Sequence, residues 1–265
     1  LGPVDTDLIL YDTLLYDPDI NLIPHDVEHG HVTQLPAPGY SVTFDATPTS
    51  PLPDVDDETV IVIGDIGGTP FEVKEKDLPA TFSGIAPGTT ITYTFTDPVP
   101  CTVSGKQLRL DSITGPASGF QITGDTTIIG NYVVQYQVIF AQTGVGSDFS
   151  GTVMTLDTSD YDRSGASFWW DDQSTHSFAF QSPLVVSANQ KRYVWTSTTG
   201  LSTLQSDPLF QVTGSGSITG NYKTQYYLKV MICPDWLVPL PTPPSGWYDQ
   251  GTYVTLTASP IAHGT

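Results

Sequence analysis

The sequence predicts an all-β protein built from tandem immunoglobulin-like β-sandwich modules, preceded by an extended N-terminal segment. Apolar and polar residues alternate with period two in short runs, which is typical of half-buried strands. Gly, Pro, Asp or Ser interrupts these runs at roughly 8–12-residue intervals, as in antiparallel sandwiches of about seven strands. The composition agrees, because 24 Gly, 22 Pro and 13 Tyr among 265 residues favour strands and turns over helices.

Alternation also predicts which side chains form the cores. One face of a strand is expected to carry four alternate residues, Val134, Tyr136, Val138 and Phe140. In the second module we expect six aromatic side chains to be largely buried: Phe140, Phe178, Phe180, Tyr193, Trp195 and Phe210.

A tandem repeat organises the chain. Phe120–Gly124 recurs 90 residues later as Phe210–Gly214. Ile129–Tyr136 recurs at the same offset as Thr219–Tyr226, with five of eight residues identical. Two matching blocks at one fixed offset indicate copies of one structural module.

Further matches set the module boundaries. Tyr40–Phe44 resembles Tyr136–Phe140, 96 residues later, and the change of offset indicates loops of different length. Almost no linker separates the first two modules, which favours a stiff rod over flexibly joined domains. The predicted organisation has four parts: an extended N-terminal segment 1–39, module A 40–135, module B 136–225 and a partial third module 226–265.

The charge balance excludes some functions and favours others. Nine Lys and Arg stand against 28 Asp and Glu, a net charge of −19, so the chain lacks the basic surface that binds nucleic acid. No apolar run is long enough to span a membrane. The scarcity of Met and basic residues suggests a secreted protein, and we interpret Leu1 as the start of a mature or trimmed chain.

Several stretches of module B and of the third module carry a family resemblance. They are Phe168–Asp171, Ser177–Leu184, Arg192–Ser197, Gly214–Leu228 and Gly246–Pro260. The first four stretches resemble repeat modules of large secreted archaeal cell-surface proteins, which occur in surface layers and extracellular appendages. Gly246–Pro260 resembles the start of a bacterial and archaeal surface-repeat module of the same broad kind. Module A resembles these repeats only faintly, and residues 1–39 do not. The resemblance implies an extracellular, cell-surface location and a structural or adhesive role, and it supplies no catalytic residue.

Three groups of residues are candidate metal ligands. His29 and His31 would face one side of a strand, near His25. Two acidic loops could hold calcium through carboxylate oxygens, although neither has the spacing of an EF-hand. The alternative is that all three groups are ordinary solvated polar segments. The acidic groups are Asp54, Asp56, Asp57 and Glu58, and Asp157, Asp160 and Asp162.

No catalytic motif or cofactor site is predicted. Trp169–Asp172 could be a sugar-stacking platform beside two glycosidase-type carboxylates. However, Phe168–Trp170 aligns with Ala80–Phe82 of module A, where no carboxylate pair follows. Ser164 or Ser167 with His176 lacks a nucleophile elbow. We therefore expect that the protein is not an enzyme.

A repeated tripeptide and two cysteines complete the candidates. Gly130–Tyr132 and Gly220–Tyr222 both read Gly-Asn-Tyr, which suits a turn with positive φ and a Tyr hydroxyl that ties a loop to the sandwich edge. Cys101 and Cys233 are about a module apart, beyond the Cα separation of about 7 Å that a disulfide allows. We expect free thiols or a bond between subunits.

The predicted function is a structural subunit of an extracellular filament or surface layer that associates with copies of itself. An incomplete third sandwich would leave an open edge, which a strand from a neighbouring chain could fill. The alternative is a flexible leader and a chain that was trimmed or continues. The candidate donor residues are Leu8, Leu10, Leu14 and Tyr16, or Ile20 and Leu22.

The second functional hypothesis is an adhesin or carbohydrate-binding surface protein. In this case, exposed aromatic side chains such as Trp170 or Trp247 would stack on sugars.

Overall fold

The structure, a computed structural model, describes residues 39–231 and 242–257. These residues form eighteen strands and one short 310 helix, Glu75–Asp77, so the all-β prediction is confirmed. No helix within these ranges has the length and apolar character needed to cross a membrane. The predicted donor segment, His25, His29, His31 and Cys233 lie outside the described residues, so these predictions remain open.

Module A is a sandwich of two sheets. One sheet has the order β3-β2-β5-β8, and the other has the order β4-β1-β9-β7-β6. Its strands are β1 (Tyr40–Thr47), β2 (Val60–Ile66), β3 (Thr69–Lys74), β4 (Ala80–Ile85), β5 (Thr90–Phe95), β6 (Val99–Pro100), β7 (Lys106–Thr114), β8 (Phe120–Gln121) and β9 (Thr126–Thr143).

Module B repeats this arrangement and shares β9 with module A. Its sheets have the orders β11-β10-β13-β16 and β12-β9-β17-β15-β14. The remaining strands are β10 (Met154–Leu156), β11 (Ser159–Tyr161), β12 (Ala166–Asp171), β13 (Thr175–Phe180), β14 (Leu184–Ser187), β15 (Lys191–Gly200), β16 (Ser206–Gln211), β17 (Gly216–Leu228) and β18 (Gly246–Asp249), of which β18 pairs with the end of β17.

Each sandwich therefore uses nine strands where the sequence predicted about seven. The difference arises from short strands such as β6 and β8, which have two residues each and are too short to show alternation.

Each module has its own hydrophobic core. The first runs from Val42 to Tyr132 and the second from Val138 to Tyr222. Both cores are rich in edge-to-face aromatic pairs, such as Phe44 with Tyr93 and Phe178 with Phe210. Since β9 contributes residues to both cores, the two sandwiches are joined within one strand.

Five of the six aromatic residues expected in the second core are buried, and the sixth, Trp195, is partly buried and packs against the same core. Trp195 is half-buried and lies next to the β15–β17 register shift between Trp195 and Ser197. Its indole N–H donates to Thr198 Oγ1 at 3.1 Å, which directs the polar edge of the ring along the strand.

Candidate functional site: shared strands and module junctions

The shared strand β9 has 18 residues and pairs with other strands along both of its edges. Its first part pairs in parallel with β1, over six residue pairs from Val42–Thr126 to Thr47–Asn131. Its second part pairs in parallel with β17, again over six pairs, from Val138–Gly216 to Thr143–Asn221. We call these two ladders clamp A and clamp B. In each module, therefore, the first and last strands are parallel neighbours.

The repeated Gly-Asn-Tyr sequence lies inside these ladders rather than in turns. Gly130 and Asn131 are in the middle of β9, and neither has a positive φ, so the predicted turn is wrong. Gly is required for a different reason. A Cβ atom at Gly130 would lie 2.6 Å from the ring of Phe95, and one at Gly220 would lie 2.6 Å from the ring of Phe180. The glycine lets an aromatic ring from the opposite sheet approach the strand.

The asparagine joins three neighbouring strands on the outer face of the sheet. Asn131 accepts a hydrogen bond from Thr47 Oγ1 at 3.1 Å and donates to Ser112 Oγ and Thr114 Oγ1 at 3.2 and 3.0 Å. Asn221 accepts from Thr143 Oγ1 at 2.7 Å and likewise donates to β15. Each asparagine thus ties the end of its parallel clamp to the next antiparallel strand.

The tyrosine joins the two sheets of each sandwich, whereas the sequence predicted that its hydroxyl ties a loop to the sandwich edge. Tyr132 donates to the carbonyl oxygen of Thr96 at 2.8 Å, and Tyr222 donates to that of Gln181 at 2.9 Å. Both acceptors follow directly after strands of the opposite sheet. Burial raises the pKa of both Tyr hydroxyls well above the ordinary value, so both remain donors.

A polar cluster lies where modules A and B meet. Gln135 on β9 is 8% exposed, and its side-chain amide donates to Asp171 Oδ1 on β12 at 2.8 Å. Arg109 on β7 donates to Asp171 Oδ2 at 3.0 Å. Gln107 donates to the amide oxygen of Gln135 at 2.9 Å. Side chains from β7 and β9 thus converge on one carboxylate of β12 at the junction.

The backbone is also continuous across this junction. Gln137 N donates to Gly105 O, and Asp172 N donates to Val134 O, each at 2.8 Å. These bonds extend the ladders of β7 and β12 past the ends of those strands. The residues of β9 between the two cores are therefore paired on both sides, and no linker separates the modules.

The same junction recurs at the end of module B. Gln225 on β17 donates to Asp249 Oδ1 on β18 at 2.7 Å. Tyr227 N donates to Gln190 O at 3.0 Å, and Gln250 N donates to Thr224 O at 2.9 Å. These bonds match those around Gln135 one by one. The strand β18 therefore pairs with the end of β17 in the same way as β12 pairs with β9.

The cation of the cluster comes from different strands at the two junctions. At the first junction it is Arg109, which lies opposite Val133 in the β7–β9 ladder. At the second it is Lys223, which lies opposite Val194 in the β15–β17 ladder and binds Asp249 at 2.8 Å. Cation and valine have exchanged places within one cross-strand pair, so the charge next to the aspartate is retained.

Hydrogen bonds from these cations favour the ionised form of both aspartates. The bond from Arg109 lowers the pKa of Asp171 below its ordinary value, and the bond from Gln135 acts in the same direction. The bonds from Lys223 and Gln225 lower the pKa of Asp249.

The aromatic run on β12 is placed differently from the prediction. Phe168 lies opposite Val138, as Phe82 lies opposite Val42, so the expected alignment of Phe168 with Ala80 is wrong by two residues. The error arose because β4 carries only one aromatic residue, which fits more than one position of an aromatic run.

This register decides which tryptophans are accessible. Trp170 is buried and stacks on His176 with ring centroids 3.7 Å apart, so it is not the exposed sugar platform proposed from the sequence. Trp247 is half-buried beneath Arg192, whose guanidinium lies 4.3 Å from the ring centroid. Trp169, on the outer face, is 39% exposed.

A side-chain cluster in module B was missed by the sequence analysis. His176 Nδ1 lies 2.6 Å from Asp157 Oδ2, and His176 Nε2 lies 3.0 Å from Ser174 Oγ. The Ser174 hydroxyl donates to the carbonyl oxygen of Asp171 at 2.6 Å. The cluster braces the turn before β11 against the turn before β13. Only the β10–β13 pairing brings Asp157 to His176, and nothing local in the sequence signals it.

The acidic loops do not gather into a metal site in the described part of the chain, where no three His, Cys, Asp or Glu side chains converge. Asp54 accepts a hydrogen bond from Lys106 at 2.5 Å, and Asp56 accepts one from the backbone of Glu58 at 2.9 Å. Asp160 accepts bonds from Thr155 and Thr152. These carboxylates instead stabilise their own loops and neighbouring strands.

Cys101 lies in module A beside the start of β7. It is half-buried, and burial raises the pKa of its thiol. Its pairing state with Cys233 remains a prediction, because Cys233 is outside the described residues.

Comparison with known proteins gives only distant likenesses, all of them among solved structures. No family model and no curated protein matches the chain. Among solved structures, Streptococcal High Identity Repeats in Tandem (SHIRT) domains 3–4 from a cell surface protein are 13% identical. The match covers 70% of this chain and 99% of that chain, with a TM-score of 0.20. That protein is bacterial, so the archaeal affiliation inferred from the sequence remains a prediction.

Proposed function

We propose that this protein is a structural subunit of an extracellular filament or surface layer. The observation that carries the proposal is the junction, where one strand belongs to two sandwiches and the backbone ladders have no gap. A protein that must span distance or hold a lattice needs fixed geometry between modules, and a shared strand provides it. The net charge of −19 suits a solvent-exposed surface that resists non-specific association.

We further propose that the chains polymerise by strand donation. Tyr226 is 45% exposed, whereas its counterpart Tyr136 packs against the core of module B. Leu228 and Tyr248 lie on the same face as Tyr226, since Tyr248 is its direct cross-strand partner. Among the described residues, no opposing sheet covers this face. An apolar strand from the N-terminal segment of another copy, residues 1–39, fits such a surface.

Negative-stain imaging of the purified chain tests this assembly. Fibres or lattices are expected from the full chain, and isolated particles from a chain without residues 1–24. Circular dichroism of the truncated chain should retain the β signal, which would show that modules A and B remain folded. Normal fibres from the truncated chain would contradict strand donation, whereas isolated particles from both chains would contradict the structural role itself.

A second candidate function is carbohydrate adhesion, and one observation favours it. Trp169 is exposed beside the Asp171 and Gln135 cluster, a combination of an aromatic face with polar groups that suits sugars. Glycan-array binding that disappears in Trp169→Ala and persists in Trp247→Ala would favour adhesion over the structural role.

The proposal assigns no catalysis to Asp157, His176 and Ser174. The Ser174 hydroxyl already donates to the Asp171 carbonyl, and Trp170 covers one face of the His176 ring. Ester hydrolysis that is lost in Ser174→Ala would contradict this part of the proposal.

A further inference from the structure

The two parallel clamps determine how tension would pass through the chain. In module A, the chain enters at the start of β1 and leaves along β9, which is the parallel neighbour of β1. Pulling on the two ends therefore draws β1 and β9 in opposite directions along their common axis. All six residue pairs of the clamp are then loaded together, because parallel ladder bonds are evenly spaced.

We propose that the protein is a tension-bearing element in which load passes in shear through clamp A and clamp B. This inference rests on the proposed structural role and adds a mechanical function to it. Load that has crossed clamp A continues covalently along β9 into clamp B, and then along β17 toward β18. The load path includes only β1, β9 and β17, so the four-stranded sheets carry none of it.

The side chains reinforce each clamp where the load leaves it. Thr47 and Asn131 are the last pair of clamp A, and their side chains are hydrogen-bonded. Asn131 is also bonded to Ser112 and Thr114 on β7, so β9 is held on its other side at the same point. Thr143 and Asn221 form the last pair of clamp B and are bonded in the same way.

Single-molecule force spectroscopy with two attachment geometries tests the inference on one folded protein. One handle is at the N-terminus, and the second is a cysteine at Ser147 or at Ala86, both exposed, in a Cys101→Ser, Cys233→Ser background. The Ser147 handle follows β9 and loads clamp A in shear. The Ala86 handle follows β4, whose end pairs with the start of β1, so it opens the β1–β4 ladder pair by pair.

At equal loading rate we expect a several-fold higher rupture force with the Ser147 handle than with the Ala86 handle, since forced unfolding follows the barrier along the pulled direction. Equal or lower force with Ser147 would overturn the inference. Fibres or lattices in the imaging experiment would still stand in that case, so the two failures are distinguishable.

A matched pair of variants tests the side-chain reinforcement. In the Ser147 geometry, Asn131→Ala should lower the rupture force because Asn131 belongs to clamp A. Asn221→Ala, the same motif position in clamp B, should leave it unchanged. An equal effect of both variants, or no effect of Asn131→Ala, would contradict a role for Asn131 in the loaded clamp.

Discussion

The side-chain amide of Gln135 donates to the carboxylate of Asp171 at 2.8 Å, across the boundary between the two sandwiches. Gln135 lies on the shared strand β9. Asp171 is the last residue of β12, the strand of module B that pairs with β9 in antiparallel orientation. The equivalent pair, Gln225 and Asp249, has a distance of 2.7 Å. The Gln135–Asp171 contact, which lies between two hydrophobic cores, thus has a counterpart at the end of module B.

Replacing Asp171 should destabilise the protein because Gln135 loses its hydrogen-bond acceptor. Asp171→Ala leaves the Gln135 amide buried without its acceptor, which should lower the free energy of unfolding by about 1–3 kcal/mol. The partly exposed ion pair with Arg109 adds little to this. Asp111→Ala is the control in denaturant unfolding, because Asp111 also binds Arg109 but lies on the exposed side. Equal losses in both variants would show that the Gln135 contact is unimportant.

The ionisation of Asp171 should depend on Arg109. The hydrogen bond from Arg109 lowers the pKa of Asp171 below the unfolded value of about 3.9. Its contribution to stability is thus fully present above about pH 4 and is lost as pH falls through the lowered folded value. Carboxyl chemical shifts measured against pH should show a midpoint below 3.9 in the native protein. The midpoint should rise in Arg109→Gln, and an unchanged midpoint would contradict the pairing.

The glycine of the Gly-Asn-Tyr repeat should tolerate no side chain. Gly130→Ala places a methyl group 2.6 Å from the buried Phe95 ring, and overpacking of this kind costs about 1–3 kcal/mol. Gly124→Ala is the matched control, because a Cβ there meets nothing within 4 Å. Thermal denaturation should show a lower melting temperature for Gly130→Ala alone. A melting temperature equal to that of Gly124→Ala would mean that Phe95 moves aside freely.

The sequence revealed the repeat but misjudged its glycine. Identical blocks 90 residues apart give equivalent strands because the same side chains favour the same register. The turn predicted for Gly130 and Asn131 relied on local propensity. The real constraint comes from Phe95, which is distant in sequence and reaches Gly130 only when the two sheets pack.

The sequence alone indicated only some of the residues that form the junction. Gln135 and Gln225 were already aligned in the repeat, and Asp171 and Asp249 each follow an aromatic run. Recognising that each Gln pairs with its Asp requires the β9–β12 and β17–β18 registers, which arise from tertiary pairing. The cation could not be recognised from the repeat, because Arg109 on β7 and Lys223 on β17 do not occupy equivalent strands of the two modules.

Trp195 should matter less than a fully buried aromatic residue. Phe180 is 2% exposed, and Phe180→Ala should cost about 3–5 kcal/mol. Trp195 is half-buried beside the irregularity in β15, so Trp195→Ala should cost clearly less. Urea unfolding of both variants gives the comparison. A larger loss for Trp195→Ala would show that its partial exposure does not weaken its packing against the core.

The central claim, that the shared strand fixes module A on module B, is tested most directly by a distance distribution between the two. Spin labels at the exposed positions Ala117 and Thr203, in a Cys101→Ser, Cys233→Ser background, report on it by pulsed electron paramagnetic resonance. We predict one narrow distance peak for the native junction. Inserting two glycines between Gln135 and Tyr136 should broaden the peak, because it interrupts the ladder of β9. A native distribution as broad as that of the insertion variant would contradict the account.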